Sequence, residues 1–457
     1  MSKILKILLV SVIILGLIIT YGLVGCKAKA TTEETVEEAA EEVSEEEVEE
    51  EVPSEPITIT AWGNPHVPDA IQAFIDGFNE AQDKYVLEHI VFPDPFEQTL
   101  LNKWAAGERP DVVNLHSSWF WKKLNPEENL LDLSDMDFVQ RTMPGLLEAT
   151  TKVGDAIYGP CILNAMYMVP VYNKEIFAEL NLEVPTTYEE LLEVCQVIKD
   201  NGYTPIFDCG GDQWTLTMSP YALVLDDIYH TPDLAEKFNN NELDWSDPPF
   251  YTGFKRLEEL FELGYFNDDV ASATFEEGKI ALENNEAAIA LWGWDGLYQQ
   301  MVDAFGAEGA EKIGFMPLGT NEPAVLSLAG NAWACWYVVD GQDPEKVEGS
   351  KELIRYLSGA SPYEEYYQKL CDDYIMQPVF EGFTGPDNMA EELKKLFNSL
   401  DDIIICPLWV RMVGSVQDGL HLSAFLAGTV TLDEAVEAMN AEFANSARDA
   451  GVEAFQD

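Results

Sequence analysis

Basic residues are scarce in this sequence, which has 26 lysines and arginines against 82 aspartates and glutamates and a formal net charge of −56. A nucleic-acid-binding protein needs clustered positive charge to pair with phosphates, and no stretch of the chain supplies such a cluster. We therefore predict no nucleic-acid partner. The acidity by itself indicates a soluble, charged surface and does not identify a ligand.

Histidine is also rare, with five in 457 residues, and the familiar catalytic motifs are missing. The sequence has no glycine-rich phosphate loop, no nucleophile elbow and no histidine pair with metal-ligand spacing. We therefore predict no metal, no cofactor and no enzyme activity. A glycoside hydrolase is the enzyme alternative, because its paired carboxylates need no fixed spacing and acidic residues are abundant. Such an enzyme is expected on a barrel of repeated strand–helix units.

Cysteines are few and scattered, with seven in the chain and no paired metal spacing. Apart from Cys26, most lie in apolar runs such as Ala332–Cys335 and Ile403–Cys406. A buried thiol is the common state of cysteine in such runs. Disulfides form outside the cytoplasm, but the spacing predicts no particular bridge.

The first 26 residues resemble a bacterial lipoprotein signal. Lys3 and Lys6 precede an apolar run, Ile7–Val24, which has the length and polarity of a secretory signal. The run closes on Leu23-Val24-Gly25-Cys26, similar to the lipobox, whose cysteine is diacylated and becomes the mature N-terminus. An uncleaved transmembrane helix is the alternative, since the run is nearly long enough to span a bilayer. Small residues and a cysteine, with no basic stop-transfer cluster, favour lipidation at Cys26.

Residues 158–207 carry the densest structural signals. The apolar run Ile162–Tyr172 predicts a buried strand or two short extended pieces. A short helix ends near Leu180. A second helix is predicted to start at Thr186 or Thr187, whose hydroxyl can cap its first turn, and to stop at Gly202. A final strand, residues 204–207, completes a strand–helix–strand unit.

The same stretch resembles the extracellular solute-binding proteins of ABC importers, of the maltose-binding-like, carbohydrate type (family 1). The elements that match in order and spacing are Tyr158-Gly159-Pro160, Tyr172–Phe177, Pro185–Leu191 and Lys199–Ile206, with Tyr188 where the family usually has tryptophan. Gly107–Leu115, Ala287–Asp295 and Gly314–Gly319 are similar to further family elements. The second of these is one residue shorter before Trp294 than is usual.

This resemblance implies an α/β fold of the periplasmic-binding-protein type, with two α/β lobes joined by a hinge of crossing strands in a type II-like topology. The implied organisation is a lipoprotein signal peptide at 1–26, an acidic disordered tether at 27–56, an N-terminal lobe of 57–163 and 313–339, and a C-terminal lobe of 164–312 and 340–457. The glutamate-rich tether is expected to be extended because its like charges repel.

The ligand is expected between the lobes, at the carboxyl ends of strands. Carbohydrate recognition needs flat apolar rings for the C–H face of a pyranose and planar polar groups for its hydroxyls. The candidate ligand-binding residues are Trp62, Asn64, Ser117, Trp119, Trp214, Trp292, Trp294, Asp295, Asn331, Trp333, Trp409 and Arg411. A core position is the alternative for the tryptophans, and the choice between Trp292 and Trp294 stays open.

The resemblance implies a lipid-anchored, extracytoplasmic monomer that captures a sugar or oligosaccharide and delivers it to the permease subunits of an ABC transporter. Hinge closure on the ligand is the expected mechanism. Two other kinds of binding protein stay open. One binds a polyamine or another cationic solute through carboxylates and aromatic rings, and the other is a lipoprotein whose binding lobe serves signalling.

Overall fold

The structure is a computed structural model of the chain. It describes residues 55–63, 68–93, 96–115, 119–143, 145–162, 167–231, 233–318, 327–328, 335–373, 377–385, 387, 389–398, 412, 416–449 and 451–456. The predicted signal peptide, Cys26 and nearly all of the predicted tether lie outside these residues. Within the described ranges, no helix combines the length and apolarity that crossing a membrane requires.

Strands and helices alternate along much of the described chain, as the sequence predicted. The strands are β1 (Ile57–Gly63), β2 (Tyr85–Val91), β3 (Val112–Leu115), β4 (Lys152–Val153), β5 (Ala156–Ile157), β6 (Tyr167–Met168), β7 (Val171–Asn173), β8 (Thr204–Ile206), β9 (Ala287–Ala290), β10 (Ile313–Phe315), β11 (Ser327–Leu328) and β12 (Cys335–Val338). The α-helices are α1 (Pro68–Ala81), α2 (Phe96–Ala105), α3 (Pro126–Asn129), α4 (Phe138–Arg141), α5 (Leu146–Thr150), α6 (Lys174–Leu180), α7 (Tyr188–Asp200), α8 (Trp214–Ala222), α9 (Leu225–His230), α10 (Leu234–Asn239), α11 (Phe250–Glu262), α12 (Phe275–Glu283), α13 (Leu297–Ala310), α14 (Pro344–Leu357), α15 (Glu364–Asp373), α16 (Glu391–Asn398), α17 (Asp418–Leu426) and α18 (Leu432–Asp449). Short 3-10 helices lie at Trp119–Leu124 and Glu453–Phe455.

The first sheet has the strand order β12-β3-β1-β2. β1 is parallel to β2 and β3, and β12 is antiparallel to β3. Helix α14 packs on this sheet, with Gly349 directly against the side chains of Ile59 and Tyr85. The strands therefore bury apolar residues under helices, which is the arrangement that parallel strands require.

Residues 344–373 and 377–381, which the sequence prediction assigned to the second lobe, pack with the first half of the protein, so this part of the predicted boundary is wrong. Lys346 Nζ pairs with Asp111 Oδ2 at 2.9 Å, and Arg141 O accepts a hydrogen bond from Glu381 N at 2.7 Å. Contacts between residues so far apart in the sequence leave no local pattern. The predicted lobe boundary therefore came from the family resemblance alone.

The second sheet has the order β10-β7-β9-β8, so the prediction that put residues 313–315 in the N-terminal lobe is wrong, because β10 pairs with β7. β8 is parallel to β9, and β7 is antiparallel to both β9 and β10. The C-terminal helices complete this half of the protein. The backbone N–H of the fully buried Trp245 donates to Asn440 Oδ1 at 2.8 Å, and Phe443 packs edge-on to Phe238 with ring centroids 5.8 Å apart.

Two of the segments that connect the halves of the protein lie side by side in their described parts. Tyr167 and Met168 of β6 pair antiparallel with Leu328 and Ser327 of β11. Closer to the first sheet, an isolated bridge pairs residue 161 with residue 335. The residues between these pairings, 163–166 and 329–334, lie outside the described part of the chain. We call 161–168 and 327–335 the crossing segments.

The signals in the central stretch identified its helices well. Thr187 is the N-cap of α7, its hydroxyl accepting from Glu190 N at 3.3 Å, and Gly202 has the left-handed φ of 86° expected after the helix end. The sequence also predicts a helix from about Pro220 to Ile228, and this prediction is wrong, because α8 begins at Trp214 and a separate helix, α9, follows. Pro220 lies inside α8 and does not start a helix.

Candidate functional site

Three aromatic rings from separate elements meet beside the second sheet, and we call them the aromatic cluster: Trp214, Phe275 and Trp294. Phe275 stacks on Trp294 with ring centroids 5.7 Å apart and planes inclined by 29°. Trp214 lies edge-on to Trp294 at 5.8 Å and 5.1 Å from Phe275. Trp214 is 44% exposed and the other two are partly buried. The cluster therefore presents flat apolar surface to solvent.

Hydrogen bonds between side chains and the backbone fix the position of Phe275 in this cluster. Thr274 caps α12 through a capping box with Glu277, which places Phe275 at the first helical position. The Phe275 N–H then donates to Asp212 Oδ2 at 2.6 Å, so the loop after β8 is tied to the start of α12. Phe275 was not among the residues predicted from the sequence, because the capping box predicts only that a helix starts there.

Trp294 lies next to the crossing segments. It forms an isolated bridge with Met168, the residue of β6 that also pairs with Ser327 of β11. Gly293 O accepts from Val169 N at 3.0 Å. A side chain at Gly293 would lie 2.5 Å from Val169 O, so this close approach requires glycine. The aromatic cluster is thus fixed to the point where the chain passes between the sheets.

Trp292 lies beneath the aromatic cluster and is fully buried. Its Nε1 donates to Phe207 O at 2.8 Å, and its ring packs edge-on to Phe275 at 5.2 Å. A side chain at Gly278 would lie 2.7 Å from the ring. Of the two tryptophans left open by the sequence, Trp294 is partly exposed and Trp292 is buried. The adjacent Asp295 is buried, with 4% of its surface exposed.

Trp62 belongs to the first sheet, at the end of β1, and is 6% exposed. Its ring packs edge-on to Phe92 at 5.4 Å, and Lys103 Nζ lies 5.6 Å from its centroid. These contacts are those of a core aromatic at the rim of a sheet. Six further predicted site residues lie outside the described residues: Asn64, Ser117, Asn331, Trp333, Trp409 and Arg411. For Trp119 only the backbone is described.

A buried carboxyl group anchors the loop that leads to Trp214. Asp208 is fully buried after β8, where its N–H donates to Asn267 Oδ1 at 2.9 Å and its Oδ1 accepts from Cys209 N at 2.8 Å. Burial raises the pKa of Asp208 to about 6 and also raises the pKa of the neighbouring Cys209 thiol. Within the described ranges, no three His, Cys, Asp or Glu side chains converge as metal ligands.

The protein has two α/β halves, each with its own sheet, which are joined by crossing segments with aromatic rings beside them. This arrangement defines the class of two-lobed periplasmic-type binding proteins. Solved structures share this fold at low identity. The binding protein MsmE of Bacillus subtilis, in an open conformation, has a TM-score of 0.68 and 15% identity, covering 88% of this chain and 100% of its own. RafE of Streptococcus pneumoniae has a TM-score of 0.66 and 20% identity, covering 86% and 98%. The predicted fold class is confirmed.

The chain belongs to the bacterial extracellular solute-binding protein family, whose model matches residues 64–363. The multiple sugar-binding protein of Streptococcus mutans is 21% identical over 379 residues, 77% of this chain and 86% of that protein. Two uncharacterized ABC transporter extracellular-binding proteins of Pyrococcus horikoshii are each 24% identical, over 203 and 234 residues. The chain spans about half the length of these two relatives, 45% and 52%. The predicted family is confirmed.

Proposed function

We propose that this protein is the extracytoplasmic substrate-binding component of an ABC importer, which captures a sugar or oligosaccharide between its two halves and delivers it to membrane permease subunits. The observation that carries this proposal is the aromatic cluster beside the crossing segments. Its exposed rings match the apolar C–H face of a pyranose, which packs on flat aromatic surface while its hydroxyls turn to polar groups.

Sugar ligands recur among the structural relatives. RafE has been solved in complex with raffinose, with a TM-score of 0.63 and 19% identity to this chain. A sugar transporter of Bacillus licheniformis has been solved with stachyose, with a TM-score of 0.64 and 19% identity. At such identity the likeness concerns the fold, so the ligand class is our proposal for this chain. Neutral oligosaccharides are the first ligands to test.

The proposed mechanism is closure about the crossing segments. The aromatic cluster lies beside the second sheet, and Trp62 lies near the end of β1 in the first sheet. Asn64, next after β1 in the sequence, and Ser117, which follows β3 in the sequence, are proposed to contact the ligand from the first half. A ligand that contacts both halves binds the closed arrangement more tightly and shifts the population towards it. Trp333 and Asn331, in the return crossing segment, are proposed to line the same space.

We further propose that the protein binds its ligand without altering it, and that it acts as a monomer held at the cell membrane by a lipid on Cys26. The family is extracellular, which fits a secretory signal and an anchor of this kind. Two acyl chains on one cysteine supply the apolar burial that stable anchoring needs.

Isothermal titration calorimetry of the wild-type protein and of Trp294→Ala tests the proposal, with raffinose-type and chitin-type oligosaccharides in one set and spermidine in another. We expect saturable binding of a neutral saccharide, weakened in the variant, and a decrease in the radius of gyration by small-angle scattering when ligand is added. Saturable binding of spermidine alone would favour a cation-binding protein, since the chain is strongly acidic. Hydrolysis of a glycoside would contradict a purely binding role.

A further inference from the structure

Cys161 and Cys335 face each other where the crossing segments leave the first sheet. They form an isolated antiparallel bridge, and both residues are fully buried. Both are thiols in this structure. Cysteines 174 positions apart in the sequence are thus directly opposite in space, a pairing that the sequence spacing did not predict.

The backbone hydrogen bonds show which kind of antiparallel pair this is. Trp336 N donates to Pro160 O at 3.2 Å, so the hydrogen bond joins the residues that flank the two cysteines. In this non-hydrogen-bonded type of pair the Cα atoms lie about 4.5 Å apart and the side chains approach most closely. A disulfide spans Cα atoms that are about 4.4 to 6.8 Å apart. The backbone is therefore already within bonding range.

Close packing holds the segment before Cys161 against β12 at this separation. A side chain at Gly159 would lie 2.0 Å from Trp336 O, and Gly159 O accepts from Thr151 Oγ1 at 2.6 Å. The bridge also lies at one end of the crossing segments, whose other end is closed by the pairing of β6 with β11. A covalent bond here would tie both segments together on the side of the first sheet.

We propose that Cys161 and Cys335 form a disulfide that joins the two crossing segments. The oxidant is an external disulfide, either a small disulfide or that of an oxidoreductase. One thiolate attacks it, releases one external thiol and forms a mixed disulfide. The second cysteine then attacks the mixed disulfide and releases the other external thiol. Two protein thiols lose two electrons and two protons, and one external disulfide becomes two thiols. An extracellular family works where such bonds persist.

The bond forms as the chain folds. Burial raises the pKa of the Cys335 thiol well above its ordinary value, so the folded, reduced protein holds almost no thiolate there, and the thiolate is the attacking species. During folding both thiols meet solvent before the first sheet closes over them. The folded reduced protein should therefore resist oxidants that the refolding protein accepts.

Refolding of the full chain from urea tests this, in a buffer of reduced and oxidised glutathione and, separately, in excess dithiothreitol. Peptide mapping by mass spectrometry, which needs no variant, should find one major link between the peptides that contain Cys161 and Cys335. The linked protein should melt higher than the reduced protein, by roughly 5 °C or more, because the bond closes a long loop. Cys335→Ser should lose the link, and Cys195→Ser, at another buried cysteine, should keep it.

Complete alkylation of both cysteines after refolding in the glutathione buffer would overturn the proposal. A dominant link between other cysteines would overturn it equally.

Discussion

The hydroxyl of Tyr221 donates a hydrogen bond to Asp418 Oδ2 at 2.5 Å, between residues 197 positions apart. Thr217 Oγ1 donates to Asp418 Oδ1 at 2.8 Å, and the carboxyl group is buried. These bonds join α17 to α8, the helix whose first residue is Trp214. The C-terminal part of the chain therefore braces the helix that carries the most exposed ring of the aromatic cluster.

Tyr221→Phe should destabilise the protein by about 1 to 3 kcal/mol, because it leaves a buried carboxyl group with one hydrogen bond fewer. Urea denaturation followed by tryptophan fluorescence measures the change. Tyr251→Phe is the matched control, since its hydroxyl donates to Asp433 Oδ1 at 2.6 Å in an exposed pair. That variant should change stability by less than about 0.5 kcal/mol. Equal losses in the two variants would contradict a special role for the buried bond.

Substitutions of Trp292 and Trp294, which both follow β9, should have different effects, the first mainly on stability and the second mainly on ligand binding. Trp292→Phe should cost about 2 to 4 kcal/mol of stability, because a buried ring shrinks and Phe207 O loses its donor. Trp294→Ala should weaken saccharide binding by about 10-fold or more, as expected for a central aromatic contact, with a smaller loss of stability. Denaturation curves and calorimetry on both variants measure the two effects. If Trp294→Ala bound the saccharide as tightly as the wild type, the aromatic cluster would not be the binding surface.

Local sequence patterns predicted the helices and strands well, but they did not predict contacts between residues far apart in the sequence. The sequence pattern predicts a helix from about Pro68 to Ala81 and another from Phe275 to Glu283, and α1 and α12 have these limits, because a helix's start signals and apolar stripe lie within one element. Pro220 predicts a helix start and so leaves Trp214 in the preceding loop, whereas Trp214 begins α8 and Pro220 lies inside that helix. The stacking of Phe275 on Trp294 could not be predicted, because it depends on how two elements meet. The pairing of Cys161 with Cys335 could not be predicted for the same reason, because it depends on how two distant segments meet.

Gly159→Ala should destabilise the protein by about 2 kcal/mol or more, because the new methyl group would lie 2.0 Å from the backbone oxygen of Trp336, and Trp336 lies in β12 and cannot yield without moving the first sheet. Thermal melting measures the loss. Gly154→Asn is the control: Gly154 has a left-handed φ of 58° and nothing within 4 Å of an added Cβ. Asparagine tolerates that conformation, so its melting temperature should stay within about 2 °C of the wild type. A similar drop in both variants would refute the steric explanation.

His89 should make the protein less stable as the pH falls. Its Nε2 is buried with no hydrogen-bond partner in the described part of the chain, and its ring lies 6.1 Å from that of Trp336. Burial lowers the pKa of His89 to about 4, whereas its pKa in the unfolded chain is about 6.5. Between these values the unfolded state binds more protons than the folded state. Stability is therefore retained above about pH 6.5 and falls progressively as the pH drops to about 4.

The size of this effect follows from the difference between the two pKa values, and is at most about 3 kcal/mol. His89→Leu removes the proton-binding group at similar volume, so the variant should lack this component. Urea denaturation of both proteins from about pH 7.5 to about pH 4 should give curves of stability that diverge below about pH 6.5, with the wild type losing more. The many carboxylates titrate in both proteins alike, so the difference between the curves isolates His89. Parallel curves would show that the histidine reaches solvent and takes up its proton without cost.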